Sequence, residues 1–437
     1  MKKINIITLG CSKNIVDSEY LSAQFAANGY QVIFDSNDTT AKIVIINTCG
    51  FIAAAKEESI NMIMQFVEAK RRGQIEQLFV FGCLAERYAN ELRAEIPEVD
   101  SFFGVKNLKD ILAATGMKYK NSLIGERCIS TPRHYAYLKI AEGCNWTCSY
   151  CAIPLIRGKY ESVKIEKIID EAQFLAQHGT KELLIIAQDT TYYGLDIYKK
   201  QKLAELLNRL SEIEGIEWIR LHYAYPSNFP NDVITEIATN PKICKYIDIP
   251  FQHINNDVLK KMRRGSNAEI YKLIDKLRTQ IPDIALRTTL LTGHPGEDEN
   301  AFEELKNFVN DMKFERLGVF PYSEEDGTFS AKNFTDDIPE TVKNNRVDEI
   351  MKIQNSLSKQ MNLRKAGKEY RVIVDSIEND YIIARTEYDS PEIDNEVLIS
   401  ISSIPKNKIP QVGEFVNVKI TSAEDYDLFG EIILNDI

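Results

Sequence analysis

Residues 141–158 read AEGCNWTCSYCAIPLIRG, with cysteines at 144, 148 and 151. Thiolates at positions i, i+4 and i+7 of a loop can wrap one corner of an iron–sulfur cubane. They supply three of its four iron ligands, so Cys144, Cys148 and Cys151 leave one iron open for a substrate or cofactor. A structural zinc site is the alternative, but zinc takes four ligands, usually in Cys-x2-Cys pairs, and no fourth lies nearby. Gly143 would let the backbone pass close to the cluster, and Tyr150 would shield it from solvent.

The loop follows an apolar run, YLKIA (137–141), the first of six strand-like segments. The others are ELLIIA (182–187), WIRLHYA (218–224), YIDIPF (246–251), IALRTTLL (284–291) and RLGVFPY (316–322). Helical patterns follow most of them, giving six β/α units. Six are too few for a closed eight-fold barrel, so an open partial (β/α)6 barrel is expected, with its chemistry at the C-terminal strand ends. IPETVKNNRVDEIMKIQNSLSKQMNLRKAG (338–367) then reads as one long helix, Pro339 at its start and Gly367 just past its end.

On the other side of a polar link, 119–134, the N-terminal region alternates strands and helices as a Rossmann-like parallel sheet does. KINIITLG (3–10), QVIF (31–34), KIVIINT (42–48) and LFVFG (78–82) read as strands. Helices follow: one presenting Val16, Leu21 and Phe25 on one face, then 51–72 and 84–92. Cys11, Cys49 and Cys83 each come directly after one of these strands. Strand ends of a parallel sheet share one edge, so the three thiols can converge on a second, three-ligated cluster. Singly, each is equally well a small buried residue. Cys128 and Cys244 lack that context and read as packing or incidental thiols. The last stretch changes to short β-patterned runs, EYRVIVDSI (369–377), YIIARTE (381–387), EVLISI (396–401) and EFVNVKITSA (414–423), predicting a small antiparallel β-barrel. The whole is an α/β protein of three domains, 1–118, 130–362 and 364–437.

At 437 residues the chain exceeds one core. Its opening apolar run is too short for a signal peptide and no stretch of 18 apolar residues occurs, so a cytoplasmic protein without membrane spans is expected. In a reducing compartment the eight cysteines read as ligands or packing groups, not disulfides.

The 141–158 loop resembles the radical S-adenosylmethionine superfamily, whose cluster binds S-adenosylmethionine at its open iron. Two cysteine triads, that domain and a terminal β-barrel together resemble the methylthiotransferase family over essentially the whole chain. The resemblance implies two [4Fe–4S] clusters, one of them auxiliary and sulfur-carrying, a substrate-gripping TRAM domain of OB-like type, and two molecules of S-adenosylmethionine per product. It also implies a flavodoxin-type electron donor. LGCSKNIVDSE (9–19), IAQDTTYYG (186–194), LHYAYP (221–226), DIPFQH (248–253) and PYSEEDGT (321–328) look like the branch acting on the β-carbon of an aspartate in ribosomal protein S-twelve. Relatives acting on a tRNA adenosine are the runner-up. A non-catalytic iron–sulfur scaffold or redox sensor is the rival of another class.

Charge bears on the substrate independently. Residues 364–437 hold 8 Lys+Arg against 15 Asp+Glu, and an RNA-gripping domain should be basic. An acidic barrel suits a basic small-subunit ribosomal protein, free or on the ribosome, and nucleic acid is not expected as the substrate; acidity that merely keeps the domain soluble is the plainer alternative.

In the resembled fold the 187–194 loop reaches the methionine end of S-adenosylmethionine, so Gln188 or Asp189 could bond its amino group; a polar helix-capping loop is the alternative. Gly293, Pro295 and Gly296 would let backbone approach the adenine, and Arg287 could contact the carboxylate or sulfonium region, unless it is simply exposed. Glu142, His253 and His294 are candidates for the cavity wall, although a lone histidine is more often structural. Ser162 and Val163 stand where many family members carry Ser-Arg.

Overall fold

The computed structural model describes residues 2–36, 40–123 and 125–433. Met1, residues 37–39, Ile124 and residues 434–437, which include the ends of the first and third predicted domains, lie outside the described residues.

The N-terminal unit is a parallel sheet of β1 (Lys3–Thr8), β2 (Gln31–Phe34), β3 (Ile43–Thr48), β4 (Gln77–Gly82) and β5 (Ser101–Phe103), in the order β2-β1-β3-β4-β5. Its helices are α1 (Ser12–Ala27), α2 (Ala53–Arg71), α3 (Cys83–Glu95) and α4 (Leu108–Ala114). Alternate strand residues serve opposite faces. Ile7, Val44, Ile46, Leu78 and Val80 meet Ile63, Phe66 and Val67 of α2. Ile4, Ile6, Ile45, Phe79 and Phe81 meet Leu21 and Phe25 of α1. Val16 does not share their face. It packs on Tyr135, Tyr137, Leu184 and Ile186 of the next unit, because five residues of helix do not complete whole turns.

The second unit is an open six-stranded parallel sheet, the partial barrel expected. Its strands are β6 (Tyr135–Lys139), β9 (Glu182–Ile186), β10 (Trp218–Leu221), β11 (Ile243–Asp248), β12 (Ala285–Thr292) and β13 (Arg316–Pro321), adjacent in chain order. A two-residue ladder of β7 (Ala141–Glu142) and β8 (Glu161–Ser162) ties together the two arms of the three-cysteine loop. The long helix runs Glu340–Leu363 behind Pro339, buries Ile350 and Leu357 in the barrel core, and ends before Gly367, whose φ is 83°.

The third unit is a closed five-stranded barrel of β14 (Glu369–Glu378), β15 (Tyr381–Thr386), β16 (Val397–Ser400), β17 (Phe415–Ala423) and β18 (Leu428–Ile432). It is not wholly antiparallel, since β16 and β18 pair in parallel to close it. β18 escapes sequence reading because Gly430 interrupts it. A Cβ there would meet Val418 Cγ1 at 2.4 Å, so the barrel wall requires the glycine. Among the described residues no helix is long and apolar enough to cross a membrane.

The barrel docks into the lumen of the six-stranded sheet through charged groups. Glu182, fully buried, accepts from Arg220 at 2.7 Å and from Arg385 at 2.6 Å. Arg316 Nε donates to Asp389 at 2.9 Å, Tyr135 to Glu392 at 2.7 Å and Tyr246 to Asp394 at 2.9 Å. Asp375, Asp389, Glu392 and Asp394 are therefore committed to holding the barrel in place. Part of the acidity counted toward a basic partner is internal, because a charge count is blind to burial.

Burial pushes the Glu182 carboxyl up, but Arg385 and Arg220 outweigh it and hold it below the ordinary range. Asp375, against Arg385 and His134, and Asp389, against Arg316 and Lys365, are likewise held down despite burial. Carboxyls with depressed folded values add stability that is complete above the unfolded values near 4 and lost as pH falls through the folded ones. His222, bonded to Ser390 of the barrel at 3.1 Å and held well below its ordinary value by burial, adds a loss that begins below about pH 6.5. Docking should therefore be constant above about pH 7, weaken below about pH 6.5 and weaken further below about pH 4. Tryptophan fluorescence reports it, since Trp218 stacks edge-on against Phe415 of the barrel.

Candidate active site

Cys11, Cys49 and Cys83 follow the C-terminal ends of β1, β3 and β4, three adjacent strands. Their loops touch. A Cβ on Gly10 would lie 2.9 Å from Cys49 Sγ, and one on Gly50 would lie 2.7 Å from the Leu84 backbone. The Cys83 thiol feels both Cys11 and Cys49 electrostatically. Burial pushes it up to about 12, against the pull of Arg157.

The Cys144 loop stands at the C-terminal end of β6 and, with Cys148 and Cys151, forms a second set within mutual electrostatic reach. Burial raises Cys144 to about 12. Thiols held this way release protons when they take up metal. Gly143 has φ 78°, but what presses on it is the returning arm of its own loop, with Lys159 O 2.2 Å from where a Cβ would sit. Tyr150 does stand beside the loop's third cysteine, its hydroxyl accepting from Arg264 at 3.2 Å.

The two triads adjoin. Cys83 shares one apolar cluster with Val105, Ile156 and Ala152, the neighbour of Cys151. Between them runs a buried polar network that the sequence did not announce. Arg157, at the end of the cysteine loop, lies 3.6 Å from Cys83 Sγ and donates to Asn14 at 2.5 Å, Asp17 at 2.9 Å and Glu142 at 3.1 Å. Lys139 bridges Asp17 and Glu142. Burial raises the Glu142 carboxyl, but Lys139 and Arg157 overcome it and hold it down. The only hint was Asn14 and Asp17 three residues apart, one turn of α1 after Cys11.

A second cation attends the other triad. Arg264 reaches Cys148 Sγ at 3.6 Å and lies over the Tyr225 ring at 4.5 Å. Tyr225 puts its hydroxyl 3.7 Å from the same sulfur and stacks on Trp146 at 3.9 Å.

Gln188 donates to Glu142 at 2.9 Å, and its amide oxygen is buried without a partner. Asp189 is different. One oxygen accepts from Thr191 and the other from Trp146 at 2.6 Å, so it is saturated and positions the tryptophan, as a capping loop residue would. Arg287 is not on an exposed strand end. It faces the lumen, 3.1 Å from Asp248 and 3.5 Å from Asp394. Gly293 and Gly296 both have positive φ, but their missing side chains make room for Lys343 and Lys261 rather than being left free for a base. His253 and His294 are fully buried, His253 3.2 Å from Glu297 and His294 on Ser330 at 3.0 Å, which is structural work. Ser162 bonds Asp196 and Val163 packs on the core. Cys244 is a packing thiol beside Trp218 and Tyr246.

The donor sets fit iron–sulfur clusters. Each triad is all thiol, each has an arginine on one sulfur, and among the described residues neither brings a fourth ligand. Among the described residues no three such side chains close on a point as ligands of a single ion would. Thiolates that each hold a different iron of a cubane stand farther apart than that.

Fold and triads define a radical S-adenosylmethionine enzyme with a methylthiotransferase layout. Residues 3–104 match the model described as "Uncharacterized protein family UPF0004", 138–309 the Radical SAM superfamily and 366–433 the TRAM domain. A solved radical S-adenosylmethionine methyltransferase, TsrM from Kitasatospora setae, superimposes with a TM-score of 0.55 over 74% of this chain and 75% of its own, at 14% identity, a likeness of fold. The ribosomal protein uS12 methylthiotransferase RimO of Bacteroides thetaiotaomicron is 52% identical over 99% of this chain and 98% of its own, and that of Phocaeicola vulgatus 53% identical over 98% and 99%. The chain belongs to the RimO family of ribosomal protein uS12 methylthiotransferases.

Proposed function

We propose that this enzyme inserts a methylthio group at the β-carbon of an aspartate in ribosomal protein uS12, working in the cytoplasm with electrons from a flavodoxin-type donor. The observation that carries the reading is the closeness of the triads, with Cys83 in one buried apolar cluster with Ala152, the neighbour of Cys151. Such closeness suits a reaction needing a carbon-centred radical and a sulfur source at one place. Full-length relatives carrying the uS12 name support the choice of substrate.

In this reading Cys144, Cys148 and Cys151 hold one [4Fe–4S] cluster and Cys11, Cys49 and Cys83 the other. Bound there, the clusters supply reductive cleavage of S-adenosylmethionine and a carrier for sulfur. Gln188, with its unpartnered amide oxygen, accepts from the amino group of S-adenosylmethionine. Trp146 and Tyr225, held by Asp189 and Arg264, stand beside the cluster cysteines and would wall the site against water. Asn14, Asp17, Glu142, Lys139 and Arg157 fix the two cysteine loops relative to each other. Residues 1–118, 130–362 and 364–437 act as the auxiliary-cluster, radical and TRAM domains.

Incubation of the anaerobically reconstituted enzyme with S-adenosylmethionine, a reductant, uS12 and bulk tRNA tests this. A methylthio group on the uS12 aspartate is expected; methylthio incorporation into tRNA alone would overturn it.

A further inference from the structure

Lys13 is a buried cation without an anion. The residue is 6% exposed. Among the described residues no carboxylate or hydrogen-bond acceptor pairs with it. Its ammonium instead sits 2.8 Å from the centre of the Tyr223 ring. Burying a charge is costly unless it is compensated, and an aromatic face compensates less than a carboxylate does. Most other cations described around the lumen meet a carboxylate: Arg287 meets Asp248, Arg316 Asp389, Arg220 and Arg385 Glu182, and Arg157 and Lys139 Asp17 and Glu142. Arg264, which has no carboxylate, donates instead to the Cys148 sulfur and the Pro250 carbonyl, acceptors that Lys13 lacks.

Position makes the exception informative. Lys13 follows Cys11 by two residues, at the start of α1, while Tyr223 follows β10 of the partial barrel. The ammonium thus bridges the auxiliary triad's edge and the lumen of the radical unit. Its field reaches the lumen, since His222, pushed well below its ordinary value by burial and then by Arg220 and Arg287, also feels Lys13. Beside it the Ser12 hydroxyl is buried and also without a partner. Tyr223 itself has φ 55°, a left-handed backbone that presents its ring to the lysine.

We propose that Lys13 binds the side-chain carboxylate of the substrate aspartate, and that this pairing selects a protein aspartate over a neutral base. The inference rests on the methylthiotransferase reading above. The β-carbon that reacts is bonded directly to that carboxylate, so clamping the carboxylate between the two triads also fixes the reacting carbon. An adenine ring offers no anion there and would leave the cation buried and unpaired, which is a penalty against the wrong substrate. Lys13 is thus a positioning residue.

The test measures binding of fluorescently labelled uS12 and of uS12 with the target aspartate replaced by asparagine. Wild type, Lys13→Gln and Lys13→Arg enzymes are compared, each reconstituted and assayed for iron and sulfide. Wild type should bind the aspartate form about 10- to 100-fold more tightly, the range for a hydrogen bond between charged groups. Lys13→Gln should lose that preference, binding both forms equally weakly at wild-type iron content, and Lys13→Arg should keep most of it. Equal binding of both forms by wild type, or a preference that survives in Lys13→Gln, overturns the assignment alone. Iron lost from Lys13→Gln, or weaker S-adenosylmethionine binding with the aspartate preference intact, moves the ammonium's role to a cofactor and also overturns it. If wild type binds neither form, the uS12 reading fails and the assignment with it.

Discussion

Replacing Arg157 by methionine is expected to cost about 3–5 kcal/mol of stability, the usual effect of removing one partner from a buried ion network. The guanidinium is 2% exposed and is shared among Asp17, Glu142, Asn14 and the Cys83 sulfur. Without it, Lys139 alone faces two buried carboxylates, and the cysteine loop loses its tie to α1. Urea unfolding followed by circular dichroism reads the loss. Adding Asp17→Asn to Arg157→Met should restore part of it, because the second change removes a charge the first left stranded. A loss no greater than that of a surface arginine would show that the network does not join the two units.

Glu182→Leu should cost a similar amount, about 3–5 kcal/mol, by leaving Arg220 and Arg385 buried against each other. Its visible effect should be undocking of the C-terminal barrel. Limited proteolysis between Leu363 and Glu369, where the long helix gives way to β14, should become faster, and the hydrodynamic radius should rise. Because Arg385 also pairs with Asp375, the change that removes the whole cluster is Glu182→Leu, Arg220→Met, Arg385→Met and Asp375→Asn; it should recover most of the stability, since apolar groups of similar size often replace a buried ion cluster without loss. A barrel that stays docked in Glu182→Leu would mean that the remaining ties, Arg316 to Asp389, Tyr135 to Glu392, Tyr246 to Asp394 and the apolar contact of Trp218 with Phe415, suffice without Glu182.

The sequence carried the cysteine triads because topology did the placing. A residue just past a strand of a parallel sheet lies on the C-terminal edge whatever its distance in the chain, so Cys11, Cys49 and Cys83 could be gathered from three short apolar runs. Their partners were hidden for the opposite reason. Arg157 meets Asp17 across 140 residues of chain, and neither the loop nor the helix pattern says which face will meet which. Glycines were readable as needs but not as neighbours. In the sequence Gly143 and Gly293 read as room for a cluster and a base; in the structure Lys159 and Lys343 lie against them. Gly430 went further and concealed β18 altogether. Residues 364–437 are acidic, yet Asp375 spends its charge on Arg385 of the neighbouring strand β15, and Asp389 and Asp394 spend theirs on Arg316 and Arg287 of the six-stranded sheet.

The proposed chemistry requires two separate three-thiolate clusters in adjoining loops. Iron and sulfide should therefore be assayed in the reconstituted wild type, in Cys11→Ala/Cys49→Ala/Cys83→Ala and in Cys144→Ala/Cys148→Ala/Cys151→Ala. About eight irons per chain falling to about four in either triple variant is the expected result for two cubanes. About four irons in the wild type, lost entirely from one variant and untouched in the other, would contradict it.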